Sequence, residues 1–492
     1  MPCTTLLVGK KASYDGSTMI ARNDDSPSGK FTPKKFVVVH PQEQPVKYVS
    51  VLSHVEIELP SDPMRYTAVP NAVEGEGIWA ASGVNEANVG MTATETITSN
   101  PRVLGADPLV ELVPAKDGQK EIPGGIGEED MVCLVLPYIR SAREGVLRLG
   151  ALLEQYGTYE MNGIAFQDGE EIWWLETIGG HHWIAARVPD DRYVVMPNQQ
   201  GIDEFDLEDA LTVQKHFMCS SDLKEFIRKN HLDLSLDGTF HARAAFGSHD
   251  DSDHVYNTAR AWYMLRCLNP RTKKWDGPDA DYTPFSDDLP WSMVPEQKLT
   301  VEDVKYVLSS HYQGTPYDPY STYGDRSMRG AFRSIGVNRN DFLSVIQMRP
   351  AEKVSAIQWV AFASNAFNVL VPFYADVEKI PEYLAGTTKQ VSTENFYWMS
   401  RMIAAMADAS YGKSVFHIER YQEHVAAKSH ALLNHYDALL PTVKDEADSR
   451  RIREEANEKI AAMLQDATAD TLDKVLYELS CQMKNAYARS DT

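Results

Sequence analysis

A cysteine stands third in the chain, in "MPCTTLLVG", at the head of an apolar run. Most free cysteines are small buried hydrophobes, but position gives this one a second use. With Met1 and Pro2 removed, Cys3 would carry a free α-amine beside its own thiol, and such an amine has an ordinary pKa of about 7.7 to 8.0. It takes a thiol proton near neutrality, so one residue supplies both nucleophile and general base. Inside a peptide bond the same nitrogen is an amide and no base. This chemistry therefore requires loss of the leader formed by residues 1–2. Arg22 and Asp25 are the next candidates. A guanidinium beside a thiol favours the thiolate, and a carboxylate orients either the arginine or the α-ammonium. At an exposed strand end the same two side chains would be a surface ion pair of little weight.

These residues must be brought together, and "CTTLLVGKKASYDGSTMIARNDD" reads as a β-hairpin. The run from Thr4 to Val8 is rich in strand formers, Asp15-Gly16 is a turn dipeptide, and Ser17 to Ala21 returns. Two registers fit. A loop from Lys10 to Gly16 sets Gly9 against Ser17 and Cys3 against Asn23. A turn of Asp15-Gly16 alone sets Tyr14 against Ser17 and Cys3 against Ser28. The first is favoured, because Lys10-Lys11 sits poorly inside a paired strand.

A second hairpin is expected in "GIWAASGVNEANVGMTATET", with Asn85 to Asn88 as its turn. "SAREGVLRLGALLEQYG" reads as a helix with a Ser141/Glu144 capping box, ended by Gly157. A strand-rich block follows from Gly163 to Gln199, with turns at Asp168-Gly169 and Pro189 to Asp191. Residues 203–300 look irregular. Strand character returns from Ile357 to Phe373. From about Thr393 the composition turns helical, and no proline follows Pro441. Strands, helices and strands in this order suggest a layered α+β unit.

Several stretches resemble one family. "CTTLLVGKKASYDGSTMIARNDD", "SAREGV", "WWLETIGGHHWIAARVPDD", "VMPNQ", "GTPYDPY" and "IQWVAFASNAFNVLVPFY" resemble the dipeptidase A group of cysteine-type N-terminal-nucleophile (Ntn) hydrolases. The resemblance implies an α+β fold, the four-layer αββα sandwich of Ntn hydrolases, over residues 3–392. The helical segment 393–492 would pack on that core. It also implies hydrolysis of dipeptides. The wider superfamily, including penicillin V acylase and bile-salt hydrolases, uses an initial cysteine and an R-N-x-D run, here Arg22-Asn23-Asp24-Asp25. By this likeness Cys3 is nucleophile and base, with Arg22 and Asp25 holding it. Asn198, in "VMPNQ", matches an asparagine that helps hold the oxyanion. Arg260, in "YNTARAW", matches a late supporting arginine. One departure stands out. Acylase-type relatives place an oxyanion asparagine after the second hairpin, where this chain has Thr94 and Glu95.

A free amino terminus on a substrate needs a counter-charge. Glu176 or another pocket carboxylate is expected to supply it. His181 and His182 are adjacent on an expected strand, so their side chains should point to opposite faces and bind no common metal. His182 is placed in the pocket lining. No HExxH motif or P-loop spacing occurs. The expectation is therefore no metal and no cofactor.

Bulk properties narrow the partners. The 492 residues carry a net charge of −22, which disfavours nucleic acid. No stretch is long and apolar enough to span a membrane, and the N-terminus lacks a signal peptide. The five cysteines are scattered with no CxxC pair, which suits a reducing, cytoplasmic setting. The expected partners are small peptide substrates, and the helical C-terminus leaves room for a homo-oligomer. The function expected is a dipeptidase acting through a thioester on dipeptides with a free amino terminus. The alternatives are an amidase or acylase of N-acyl compounds on the same fold, or a non-catalytic, secernin-like interaction protein. No cysteine has the local context of an ordinary Cys-His peptidase.

Overall fold

Thr4–Val8 and Thr18–Asp25 are buried along their whole length, on both faces. Strands of that kind belong at the centre of a sheet, with material on either side. The computed structural model, which describes residues 3–350 and 356–484, places them there. The proposed leader, Met1 and Pro2, lies outside the described residues, as does the Thr94 side chain.

The first sheet has seven strands in the order Ser292–Met293, Tyr193–Met196, Thr4–Val8, Thr18–Asp25, Asn340–Met348, Ile357–Phe362 and Val371–Tyr374. The second has six, in the order Phe217–Cys219, Trp183–Arg187, Ile172–Thr177, Asn162–Gln167, Gly90–Thr96 and Ser82–Val84. All neighbours in both sheets are antiparallel.

Alternation along the strands sorts the side chains into separate cores. Leu7, Ile20, Ile346 and Met348 of the first sheet meet Ala165, Trp174 and Ile184 of the second. On the other face of the first sheet, Leu6, Val8, Met19 and Ala21 pack with helical residues such as Tyr263, Leu308, Tyr397 and Leu464. On the other face of the second, Met91, Ile164, Phe166 and Trp173 pack with Val132, Val135, Val146 and Leu149. Helices Phe396–Ala409, Tyr411–Leu439 and Glu446–Ser480 pack on one another, and the last two contact the strand Val371–Tyr374. That strand is a sheet edge. Asn457 satisfies its outward backbone, accepting from Tyr374 N at 2.9 Å and donating to Tyr374 O at 3.0 Å. An edge covered in this way no longer offers a template for another chain.

The first hairpin differs from both expected registers. Thr4 pairs with Asn23 and Val8 with Met19, so the long loop forms but the ladder is one residue off. Continuing it by one step sets Cys3 opposite Asp24. A shift of one residue exchanges the faces of a strand, and this shift decides which acid meets the thiol. The helix Ala142–Tyr156 forms with half of its expected box: Ser141 Oγ accepts from Glu144 N, but the Glu144 carboxylate accepts from Arg140 N. The irregular region resolves into short helices, of which Thr258–Leu268 carries Arg260.

Gly163 stands between Glu95 and Glu176 across three strands. A Cβ at Gly163 would lie 2.1 Å from Trp174 Cζ2, inside the core. Gly163→Ala is expected to cost about 1–3 kcal/mol, read as a lower urea midpoint at unchanged slope. A wild-type midpoint would mean that Trp174 has room to yield.

Candidate active site

Cys3 is fully buried at the head of the central strand. Its Sγ accepts a hydrogen bond from Arg22 Nη2 at 2.9 Å. The same nitrogen donates to Glu128 Oε1 at 2.7 Å and to Asp24 Oδ1 at 3.3 Å. Asp24 also pairs with Lys34 Nζ at 2.8 Å. Two acids and two bases thus balance in a dry site, as buried charges require. Arg22 and Asp24 share one face of their strand because they are two apart. Glu128 arrives from the first turn of the helix Glu128–Val135.

Burial pushes the Cys3 thiol well above its ordinary range. Arg22 pulls it down, while Glu128, Glu95 and Asp24 push it up further. Burial likewise opposes the charge on Arg22, but Cys3, Asp24 and Glu128 outweigh it and its pKa rises. Burial and three acids thus oppose the thiolate, and Arg22 favours it. Cys3, Asp24 and Glu128 form a trio with metal-ligand atoms close together. The Arg22 guanidinium already fills that place with a positive charge, so the trio does not fit a metal ion.

Asp25 points the other way from Arg22. It pairs with Arg333 and accepts from Asn340 Nδ2 at 2.9 Å. The structure gives to Asp24, aided by Glu128, the arginine-holding role expected of Asp25. Arg260 lies close to the nucleophile. Its Nη1 donates to the Cys3 carbonyl and, at 2.6 Å, to Thr4 Oγ1. Its Nη2 donates to Asn198 Oδ1 at 2.7 Å and Asn257 Oδ1 at 2.8 Å. Burial and then Arg333 lower its pKa to about 10. Asn198 in turn donates to the Thr96 carbonyl at 2.8 Å. A cleft of about 570 Å³ opens there, walled by Thr96, Asn198, Asp253, Tyr256 and Asn257.

Glu176 and His182 sit in other settings. Glu176 Oε1 accepts from Gly201 N, Ile202 N and Trp174 Nε1, which pins the turn after Tyr193–Met196. His182 stacks on Phe226 at 3.8 Å and bonds Asp107 through Nδ1 at 2.7 Å. His181 and His182 precede the strand Trp183–Arg187 rather than lying in it. Freed from strand alternation, both rings converge on Asp107, whose oxygens lie 3.2 and 2.7 Å away. This corrects the expectation of opposite faces.

A third acid, Glu95, is held by the strand that follows Cys3. Its Oε2 accepts from Thr5 Oγ1 at 2.8 Å, across the gap between the sheets. A bulge places it there. Thr92 pairs with Ala165 but Glu95 with Gly163, so one extra residue intervenes. Without it, Glu95 would follow Met91 and Ala93 toward the helices. Glu128, Lys34, Arg333 and Glu95 were not singled out as site residues by sequence pattern. For Glu95 the available signal was the departure from asparagine. For the others no local signal exists.

A buried thiol held by a guanidinium, with charged groups sealed between two sheets, defines a cysteine-dependent hydrolase. Residues 2–424 match peptidase family C69. The chain is 56% identical to a "Dipeptidase" of Bifidobacterium longum (strain NCC 2705), over 100% of both chains. It is 52% identical to a "Probable dipeptidase A" of Streptococcus pyogenes serotype M3, again over 100% of both. It is 41% identical to a "Dipeptidase A" of Lactobacillus helveticus, over 97% of this chain and 96% of that one. The chain belongs to peptidase family C69 and is a cysteine-type peptidase.

Glu176 supplies a test of the buried acids. Burial raises its pKa from 4.5 to about 7 against the pull of its donors. A carboxyl raised in the folded state contributes stability that is complete below its unfolded pKa and is lost as pH rises through the folded one. Wild-type stability should therefore fall relative to Glu176→Gln between pH 4.5 and pH 7, by on the order of 3 kcal/mol. Urea denaturation of both proteins across this range checks it. Parallel curves would show that Glu176 is charged in the folded protein.

Proposed function

We propose that the protein is a dipeptidase whose nucleophile is Cys3, working from the amino terminus of the mature chain. The observation that carries this is the Cys3 thiol, buried at a strand head and bonded to Arg22. The names of the relatives supply the substrate class. The two facing sheets with helices on their outer faces are read as the four-layer αββα sandwich of Ntn hydrolases over residues 3–392, with the helical segment 393–492 packed on it. The setting is read as cytoplasmic, in keeping with the absence, among the described residues, of a helix able to cross a membrane.

The thiol's hydrogen-bond partner is a guanidinium and not an imidazole, so the base must come from elsewhere. Freed of residues 1–2, the Cys3 α-amine lies on the same residue. It takes the thiol proton as Sγ attacks the peptide carbonyl carbon. Asn198 gives one amide proton to Thr96 and offers its second to the oxyanion. The tetrahedral intermediate collapses, the C–N bond breaks, and the α-ammonium returns the proton to the leaving amine. Water, deprotonated by the same amine, attacks the thioester and releases the acid and the thiol. Arg22 holds Sγ through both steps, and Arg260 fixes the Cys3 carbonyl. Asp25 supports the cluster through Arg333. Release of the leader precedes that amine. The Cys3 thiol attacks the Pro2 carbonyl, its proton passes to the departing amide nitrogen, which becomes the α-amine, and water cleaves the thioester to free the Pro2 acid and the thiol.

The purified protein is expected to begin at Cys3 by intact mass. Cys3→Ala should keep Pro2 and lose dipeptide hydrolysis by at least about 1,000-fold. Full turnover in Cys3→Ala would end this reading. Removal of Pro2 in that variant would assign maturation to another peptidase. Comparable cleavage of free and N-acetylated dipeptides would favour an amidase.

A further inference from the structure

We propose that Glu95 is the residue that reads the free amino group of the substrate. This rests on the dipeptidase reading and deepens it. Glu95 is fully buried. Thr5 holds its Oε2, while its Oε1 is sealed from solvent with no hydrogen-bond partner among the described residues. Burial raises its pKa to about 8, against the pull of Arg260, Thr5 and Arg22. The empty site thus favours the protonated acid, and an incoming ammonium draws it to the carboxylate and gives Oε1 the donor it lacks.

The donor is identified by geometry. Cys3 attacks the carbonyl of the substrate's first residue. The α-ammonium of that residue is two bonds from the carbonyl carbon. Its counter-charge must therefore stand beside the thiol, and Glu95 is held there by Thr5, two residues from Cys3 and on the same side of the chain. The other acids near Sγ are committed: Asp24 to Arg22 and Lys34, and Glu128 to Arg22. Glu176 also has a buried oxygen, Oε2, with no hydrogen-bond partner among the described residues, but it stands two strands from Glu95 through Gly163, and its Oε1 is held by Gly201, Ile202 and Trp174 rather than by the strand that follows Cys3. The bulge before Glu95 turns it from the helical face into the space between the sheets. Bulges are features that re-aim side chains next to active sites. Thr96, the residue after Glu95, walls the cleft together with Asn198, so a substrate seated there lies beside the strand that carries Glu95.

The test is Glu95→Gln in the mature enzyme, assayed on one dipeptide and its N-acetyl form. Wild type is expected to prefer the free dipeptide. Glu95→Gln should lower kcat/KM for it by about 100-fold, as when a buried charge pair loses a partner. The N-acetyl form, which brings no charge for Glu95 to read, should lose far less. An unchanged preference would overturn the role of Glu95 and leave the dipeptidase reading standing. Equal losses on both substrates would also overturn it, by assigning Glu95 to the nucleophile. A wild type with no preference would instead remove the dipeptidase reading. Thr5→Val, which frees Oε2 but keeps the carboxylate, gives a second readout should Glu95→Gln not fold: a higher KM for the free dipeptide alone supports the proposal, and equal changes on both substrates count against it.

Discussion

One guanidinium organises this protein. Arg22 Nη2 is shared by the Cys3 thiol, Glu128 and Asp24, all buried. All four groups are buried, so the loss of one partner leaves a charge uncompensated in a low-dielectric site. That constraint ties together pieces far apart in sequence. Cys3 and Asp24 come from the central hairpin, and Glu128 comes from a helix more than a hundred residues on. Arginine suits the position because its planar fork serves several acceptors at fixed angles, where a lysine would offer a mobile point charge.

The strand that carries Arg22 has two faces with two tasks. Arg22 and Asp24 look toward the second sheet. Asn23, between them, donates to the Leu308 carbonyl and accepts from Asn365 Nδ2, both at 2.8 Å. Asp25 continues that side with Arg333 and Asn340. The reactive face is thus held from behind by a second polar network. Tyr256 lies under both Arg260 and Arg333, at 5.2 and 5.0 Å from their guanidinium carbons. Stacking of this kind lets two cations approach where Coulomb repulsion would part them. The segment that looked irregular in sequence is what delivers these groups to the Cys3 backbone.

A thiol surrounded by acids is a poor thiolate. Most activated cysteines sit in electropositive surroundings, yet here Glu128, Glu95 and Asp24 all raise the thiol's pKa. This suits a nucleophile that carries its own base and is deprotonated only as it attacks. It also suits a substrate that brings a positive charge to within a few bonds of the reacting carbon.

Much of this was legible in the chain. Cys3 could be placed at the head of a buried strand because apolar strand formers follow it at once. Arg22 was legible as its partner because Lys10-Lys11 and Asp15-Gly16 demand a loop that returns the chain beside it. The helix from Ala142 and the helical C-terminus follow from local capping and composition. What stayed hidden depends on parity and on distant pairing. Whether Arg22 and Asp24, or Asn23 and Asp25, share the thiol's face turns on a one-residue register, set where Val8 pairs with Met19. His181 and His182 converge on Asp107 because their backbone leaves the strand, which alternation alone cannot foresee. Glu95 enters the site because a bulge against Ala165 and Gly163 adds a residue to its strand. Sequence by itself determined which elements form and which residue types could do chemistry, since those rest on contacts a few residues long. Tertiary structure alone decided which acid faces the thiol, because each such choice is a rotation of one strand residue, fixed by pairings such as Val8 with Met19 and Thr92 with Ala165 that no local pattern sets.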